Sequence, residues 1–168
     1  GSLGRISKRT YRQTKDLCGG ATMDLGIYPI TAIIEILGYP DSITSACIKN
    51  EEAVDATTSA VFTYDNGKIA NIHASFKSLT RGELRICLEK GVITLPKNFT
   101  TTNKIILENI EGKNEVIELP EFGTGMMQEI EHFRLSQRHM LNNDLSAKAI
   151  RVMDKIREQH GIIFEFDE

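Results

Sequence analysis

The sequence predicts an α+β fold: a largely antiparallel, open-faced sheet of six or more strands with helices on one face. Three observations carry this expectation. Apolar residues repeat at helical spacing near the start, at strand spacing through the middle, and at helical spacing again near the end. The middle segments are joined by short turns that only antiparallel neighbours can use. A chain of 168 residues with 40% hydrophobic side chains has the size of one ordinary domain and enough apolar matter for a core.

The elements follow in order. Ile30, Ile33, Ile34 and Leu37 fall on one helix face, with Gly38 as the C-terminal stop and Pro40 just beyond. Pro29 would kink a helix arriving from upstream or open a new one, so residues 21–37 read as a helical stretch jointed near Pro29. Residues 43–49 and 57–64 are rich in Thr, Val, Ile and aromatics. Asp65-Asn66-Gly67-Lys68 predicts a type I′ hairpin turn into residues 68–76, where Ala70, Ile72, Ala74 and Phe76 alternate with polar residues. Residues 83–88, 92–95, 104–108 and 115–119 complete the strands. Ile86-Cys87-Leu88 and Ile105-Ile106-Leu107 put apolar groups on both sheet faces. The face that the helices leave open is therefore expected to form a homodimer. Met126, Ile130, Phe133 and Met140 mark one late helix. Leu145, Ala149, Val152, Met153 and Ile156 mark a second, after Asp144 as N-cap and before Gly161. Residues 162–166 read as a short strand or extended tail.

Composition excludes several function classes. Twenty basic and 23 acidic residues give a net charge of −3, which excludes a strongly basic nucleic-acid binder. No apolar run approaches the ~20 residues of a membrane span, and no charged-then-apolar leader opens the chain, so neither membrane nor secretion is expected. Cys18, Cys47 and Cys87 are odd in number, far apart and without a CxxC pair. Reduced thiols in a cytoplasmic protein are expected. Arg5, Lys8, Arg9, Arg12 and Lys15 precede the first acid, Asp16, with no apolar periodicity. Residues 1–18 therefore read as a tag or linker remnant, and 19–168 as the domain.

Most familiar chemical motifs fail on inspection. Gly123-Thr124-Gly125 lacks the third glycine of a dinucleotide fingerprint, and Leu119-Pro120 interrupts any strand before it. No G-x-x-x-x-G-K-S/T occurs, so no nucleotide-phosphate cradle is visible. Glu129-x-x-His132 is half of a two-metal carboxylate site without its other half, and His139 adds no third ligand, so no metal is expected. His73 lies in a strand between apolar neighbours, either hydrogen-bonded on the sheet or pointing into a pocket.

One stretch stands apart: Cys18-Gly19-Gly20-Ala21-Thr22-Met23-Asp24-Leu25-Gly26-Ile27-Tyr28-Pro29-Ile30. Asp24 and Tyr28 are four apart, hence on one helix face, and Gly19, Gly20 and Gly26 let backbone or ligand approach. Two readings stay open from these residues alone: a buried Asp–Tyr hydrogen bond, or a tyrosine general acid/base oriented by an aspartate.

This stretch resembles the signature of the glucose–fructose oxidoreductase / inositol dehydrogenase (Gfo/Idh/MocA) family, roughly Gly-Gly-Gly-x-x-x-Asp-x-Gly-x-His/Tyr. Residues 83–95, Gln128–Phe133 and Ala149–Arg157 resemble the family's middle strands and late helices. The resemblance spans about residues 19–168 and implies the substrate-binding and oligomerisation domain of an NAD(P)-dependent oxidoreductase acting on a sugar, polyol or cyclic diol. It implies that the family's Rossmann domain, with its Glu-Lys-Pro lysine, is absent from this chain. NAD or NADP would serve the full-length protein, and none is expected bound here. With tyrosine where other branches carry histidine, the chain is similar to the dihydrodiol dehydrogenase branch. Tyr28 would then pass the proton and Asp24 would orient the site. A phenol ordinarily titrates near ~10, and the family's lysine would favour its phenolate. Gly19 and Gly20 would allow close approach of the nicotinamide. Strand parity and loop position add Asn71, His73, Lys77 and Arg81 as substrate contacts. The alternative is a non-catalytic binding or dimerisation module of the same fold.

Overall fold

A computed structural model describes residues 11–120, 125–135 and 143–167. The described chain forms two compact units, residues 11–79 with 143–167, and residues 80–120 with 125–135.

The first unit begins with two 3₁₀ turns, Tyr11–Gln13 and Lys15–Leu17, followed by a π-helical turn, Thr22–Gly26. Helix α1 (Ile27–Leu37) continues from it. Strands β1 (Ser42–Lys49), β2 (Asp55–Thr63) and β3 (Ile69–Ser75) form an antiparallel sheet in that order. Helix α3 (Asn143–Gln159) closes the unit; α2 (Met126–Leu135) belongs to the other. The register sets Ala60 opposite Ile72 and Phe62 opposite Ala70. Ala60, Phe62 and Ile72 pack with Ile30, Ile33 and Ile34 of α1 and Ala149, Val152, Met153 and Ile156 of α3. These are the residues whose periodicities predict the two helices, and Leu37 packs at the edge of the same core. The whole stretch Lys15–Leu37 is, by length and composition alone, long and apolar enough to cross a membrane, contrary to the expectation from unbroken apolar runs. Charged residues interrupt every run, while Ile30, Ile33 and Ile34 are packed in the core.

The second unit carries β4 (Leu84–Leu88), β5 (Gly91–Leu95), β6 (Lys104–Asn109) and β7 (Asn114–Glu118), an antiparallel sheet in chain order, and helix α2 (Met126–Leu135). The fold class is α+β with antiparallel sheets, as the periodicities predict. The seven strands divide between two sheets. β3 stops where the Ser75 hydroxyl accepts the backbone N–H groups of Lys77 and Ser78, each at 3.0 Å. These local bonds take donors that a continuing ladder would need. In β4–β7 the register gathers Leu84, Ile86, Ile93, Leu95, Ile105, Leu107 and Ile117 on one face. Cys87, Val92, Ile106 and Val116 lie on the other, and no residue of these four strands is buried.

Three local expectations are corrected. The joint in the first helical stretch lies at Thr22–Gly26, one turn before Pro29, because proline's missing N–H and its ring crowd the preceding turn into wider winding. The turn after β2 is a three-residue loop closed by Tyr64 N–H to Lys68 O at 3.1 Å, with positive φ at Gly67 and not at Asn66, so it is not type I′. Asn109 to Lys113, with Gly112, repeats that geometry between β6 and β7. Asp144 sits inside the first turn of α3, 2.6 Å from Lys148, and is not its cap. Residues 162–167 are an extended tail ending in a 3₁₀ turn, with Ile162 and Phe164 buried. Arg5, Lys8, Arg9, Gly123, Thr124, His139, Met140 and the side chains of Glu129 and His132 lie outside the described residues.

Candidate active site

The site is assembled around a buried carboxylate. Asp55, at the start of β2, is 2% exposed. Its Oδ2 accepts the Thr22 backbone N–H at 2.7 Å, the Thr22 hydroxyl at 2.8 Å and the Thr58 hydroxyl at 2.7 Å. An acid from a distant strand thus seats the first turn of the helical stretch, where N–H groups lack helical partners. Gly20, at φ +136°, lies so close that any Cβ there would collide with Asp55 Oδ1. A Cβ on Gly19 would come within 2.6 Å of the Arg12 carbonyl. The room those glycines leave is filled by atoms of the chain itself. Around Gly26 a Cβ would make ordinary contacts at 3.7 Å.

The backbone doubles back here. Gly20 N–H donates to Arg12 O at 2.8 Å and Gly19 N–H to Thr14 O at 2.9 Å. This brings the Arg12 guanidinium over the π-turn, with Nε 3.4 Å from Asp24 Oδ1 and donating to the Tyr11 hydroxyl at 3.1 Å. Arg12 is held above its ordinary range, first by the hydrogen bond to Tyr11 and next by the charge of Asp24. Tyr28 also lies within its electrostatic reach. Asp24 Oδ2 is buried and has no hydrogen-bond partner among the described residues. Tyr28, one turn on, is 54% exposed and makes no hydrogen bond to Asp24. Of the two readings open from spacing alone, the buried Asp–Tyr pair is not what forms. The site instead couples an exposed phenol with a half-buried carboxylate–guanidinium pair.

Sequence reading missed two members. Asp55 has no motif signal, since Thr22 and Asp55 meet only through tertiary structure. Arg12 stood in the basic stretch read as linker; its nearness to Gly19-Gly20 was the available clue.

The remaining candidates separate. Asn71 and His73 are exposed, and strand alternation directs them away from the face on which Ile72 and Ala74 are buried. His73 Nδ1 bonds the Ser59 hydroxyl at 2.8 Å and Nε2 lies 3.4 Å from Ser78 Oγ. Lys77 is exposed just past β3, and Arg81 lies in the other unit. No group of three metal-ligating side chains occurs among the described residues.

The comparison with known families decides the wider question. The profile of the GFO/IDH/MocA C-terminal domain matches residues 3–94, more than half of the chain. This chain belongs to that family. Trans-1,2-dihydrobenzene-1,2-diol dehydrogenase of Xenopus laevis is 27% identical over 163 residues, covering 89% of this chain and 49% of the relative. The NADP(+)-dependent scyllo-inositol 2-dehydrogenase IolU of Bacillus subtilis is 23% identical over 159 residues, covering 91% and 48%. The chain spans about half the length of these family relatives. Among solved structures, the 3-ketoreductase KijD10 of Actinomadura kijaniata superposes with a TM-score of 0.73 at 19% identity, covering 89% of this chain and 48% of that one. An NAD-binding oxidoreductase of Klebsiella pneumoniae superposes at 0.74 and 15% identity, covering 92% and 52%. At these identities the superpositions establish the shared fold.

Proposed function

We propose that this chain is the substrate-binding half of a cytoplasmic, NAD(P)-dependent oxidoreductase acting on a sugar, polyol or cyclic diol. The observation that carries the reading is Tyr28. The signature's phenol stands exposed one turn from Asp24, where a substrate oxygen could meet it. The names of the relatives, dehydrogenases of a cyclic diol and an inositol, support the substrate class.

The donor set fits such a cofactor in one respect: an accessible phenol can hold the proton that accompanies hydride transfer. A nicotinamide, when bound, supplies or takes the hydride. As the phenolate, Tyr28 Oη would take the proton from a substrate hydroxyl in the oxidising direction, and as the phenol it would return that proton to the carbonyl oxygen in the reducing one. Asp24, paired to Arg12, orients that oxygen. Gly19 and Gly20 could offer the cofactor backbone only, their side-chain space being filled. The phosphate-binding half is supplied by a domain outside this chain. Asn71, His73 and Lys77, in the same unit as Tyr28, are proposed substrate contacts. The apolar face of β4–β7 is the proposed homodimer surface.

The test uses the full-length protein with NAD or NADP and three substrates: trans-1,2-dihydrobenzene-1,2-diol, scyllo-inositol and D-xylose. Tyr28→Phe should leave melting temperature and KM nearly unchanged and lower kcat by about 10²–10⁴. Near-normal kcat in a folded Tyr28→Phe protein would reject Tyr28 as the proton-transfer residue, and a folded parent protein inert on all three substrates would favour a non-catalytic binding module.

A further inference from the structure

Arg12 touches three parts of the signature at once. Its carbonyl accepts the Gly20 N–H at 2.8 Å and occupies the space a Gly19 side chain would need. Its Nε faces Asp24 Oδ1 at 3.4 Å while donating to the Tyr11 hydroxyl. Asp24 has one oxygen buried without a partner, and among the described residues the ion pair with Arg12 is the one polar restraint on its carboxylate. A carboxylate with a single restraint rotates unless that restraint is directional. The single Nε–H is donated to the Tyr11 hydroxyl, which holds the guanidinium plane in place beside the Asp24 carboxylate as a fixed ion-pair partner, a hold that a freely rotating ammonium would lack. The main-chain bonds of Arg12 to the glycine pair fix where its side chain starts, so Arg12 and Asp24 are located by the same backbone reversal.

We infer that Arg12 is a positioning residue, which fixes the Asp24 carboxylate beside Tyr28 through its guanidinium and locks the glycine pair through its carbonyl. This rests on the oxidoreductase reading above for its catalytic consequence, though not for the contact itself. Arg12 acts on turnover through Asp24. It therefore governs the orientation of a substrate hydroxyl at the phenol more than the affinity for substrate.

Two measurements test this. In the full-length enzyme, with the substrate turned over in the assay above, Arg12→Ala should lower kcat about 10- to 100-fold with KM changed less than about threefold. Guanidinium ion added to Arg12→Ala should restore part of the rate, whereas Arg12→Lys should remain impaired. Combined with Asp24→Asn, the Arg12→Ala substitution should cost little more than Asp24→Asn alone, because both remove one interaction. Full additivity of the two losses would overturn the inference. Independently of turnover, in the 168-residue chain the Asp24 side-chain carbonyl carbon signal, assigned by its loss in Asp24→Asn, should move in Arg12→Ala and stay in place in Lys15→Ala. An unmoved signal would overturn the positioning role. An enzyme inert on every substrate, with that signal moved, would instead reject the oxidoreductase reading and leave the contact standing.

Discussion

Three donors converge on one oxygen of Asp55, two of them from Thr22, thirty-three residues earlier in the chain. Hydrogen bonds to a buried charge contribute about 1.5–3 kcal/mol each, and their loss leaves buried donors unpaired. Asp55→Ala should therefore cost about 3 kcal/mol or more, a fall in melting temperature of roughly 6–12 °C for a chain of this size. Gly20→Ala should cost at least about 2 kcal/mol, since it combines a φ that L-residues avoid with a collision against that same carboxylate. Differential scanning calorimetry on both variants checks this, and a Gly20→Ala protein as stable as the parent would contradict the close packing. The thiols offer a second check. Burial, with the Asp55 charge adding, pushes the Cys47 thiol up, while Cys87 is exposed. Iodoacetamide at pH 7.5 should modify Cys87 well before Cys47, as read by mass spectrometry. The glycines were legible in the sequence as a signature. Their reason was not, because the atoms that forbid a side chain come from Arg12 and Asp55 and arrive only when the chain folds back.

Among the elements, the C-terminal tail is fastened to α3 by one arginine. Arg157 is 6% exposed, lies over the Phe164 ring at 4.4 Å, and donates to Ile162 O at 3.0 Å, Asp167 Oδ2 at 2.7 Å and Asp154 Oδ1 at 2.6 Å. Burial works against its charge, and hydrogen bonds with Asp167 and Asp154 outweigh that, so it stays above its ordinary range. Arg157→Met would remove the donors of two partly exposed carboxylates and the anchor of the tail, and should lower the midpoint of denaturant unfolding. Asp167 is held below the ordinary carboxylate range, first by hydrogen bonds from Arg157 and then by the Phe164 N–H, with burial opposing. A carboxylate depressed on folding stabilises fully above its unfolded value, near ~3.9. That stabilisation is lost as pH falls through the folded value. The tail should therefore loosen below about pH 4, seen as faster exchange of the Phe164 amide, and Asp167→Asn should remove that acid-dependent component. Sequence reading located α3 and its Gly161 stop, because a 3.6-residue period and a glycine at φ 59° are local properties. The clasp joins residues ten apart across that stop and left no local mark.

At the scale of the whole molecule, two expectations concern what the chain joins. Its described residues include no phosphate cradle, so calorimetry of the 168-residue chain with NAD or NADP should show nothing tighter than about 1 mM. Micromolar affinity would contradict a cofactor half lying outside this chain. The β4–β7 sheet carries its aliphatic row unburied, with Ile93 between Ile86 and Leu107 at the centre. A pairing of standard size would bury roughly 1,600 Å² in total. Sedimentation velocity at tens of micromolar should show a dimer that Ile93→Lys converts to monomer, and a monomeric parent protein would sink the proposed surface.

Fold class, the position of α1 and α3, seven of their core residues and the four-residue spacing of Asp24 and Tyr28 were determined by the sequence alone. Periodicity, turn residues and a contiguous signature express preferences of neighbouring residues, and such preferences can be read without coordinates. Tertiary structure decided the rest. It put the helical joint in a π-turn ahead of Pro29, divided the strands at Ser75, and gave the glycine pair to Arg12 and Asp55. It left Tyr28 exposed and unbonded to Asp24 where four-residue spacing allowed either arrangement. Spacing fixes which residues share a face. Whether that face is covered, and by what, depends on segments that approach from elsewhere in the chain.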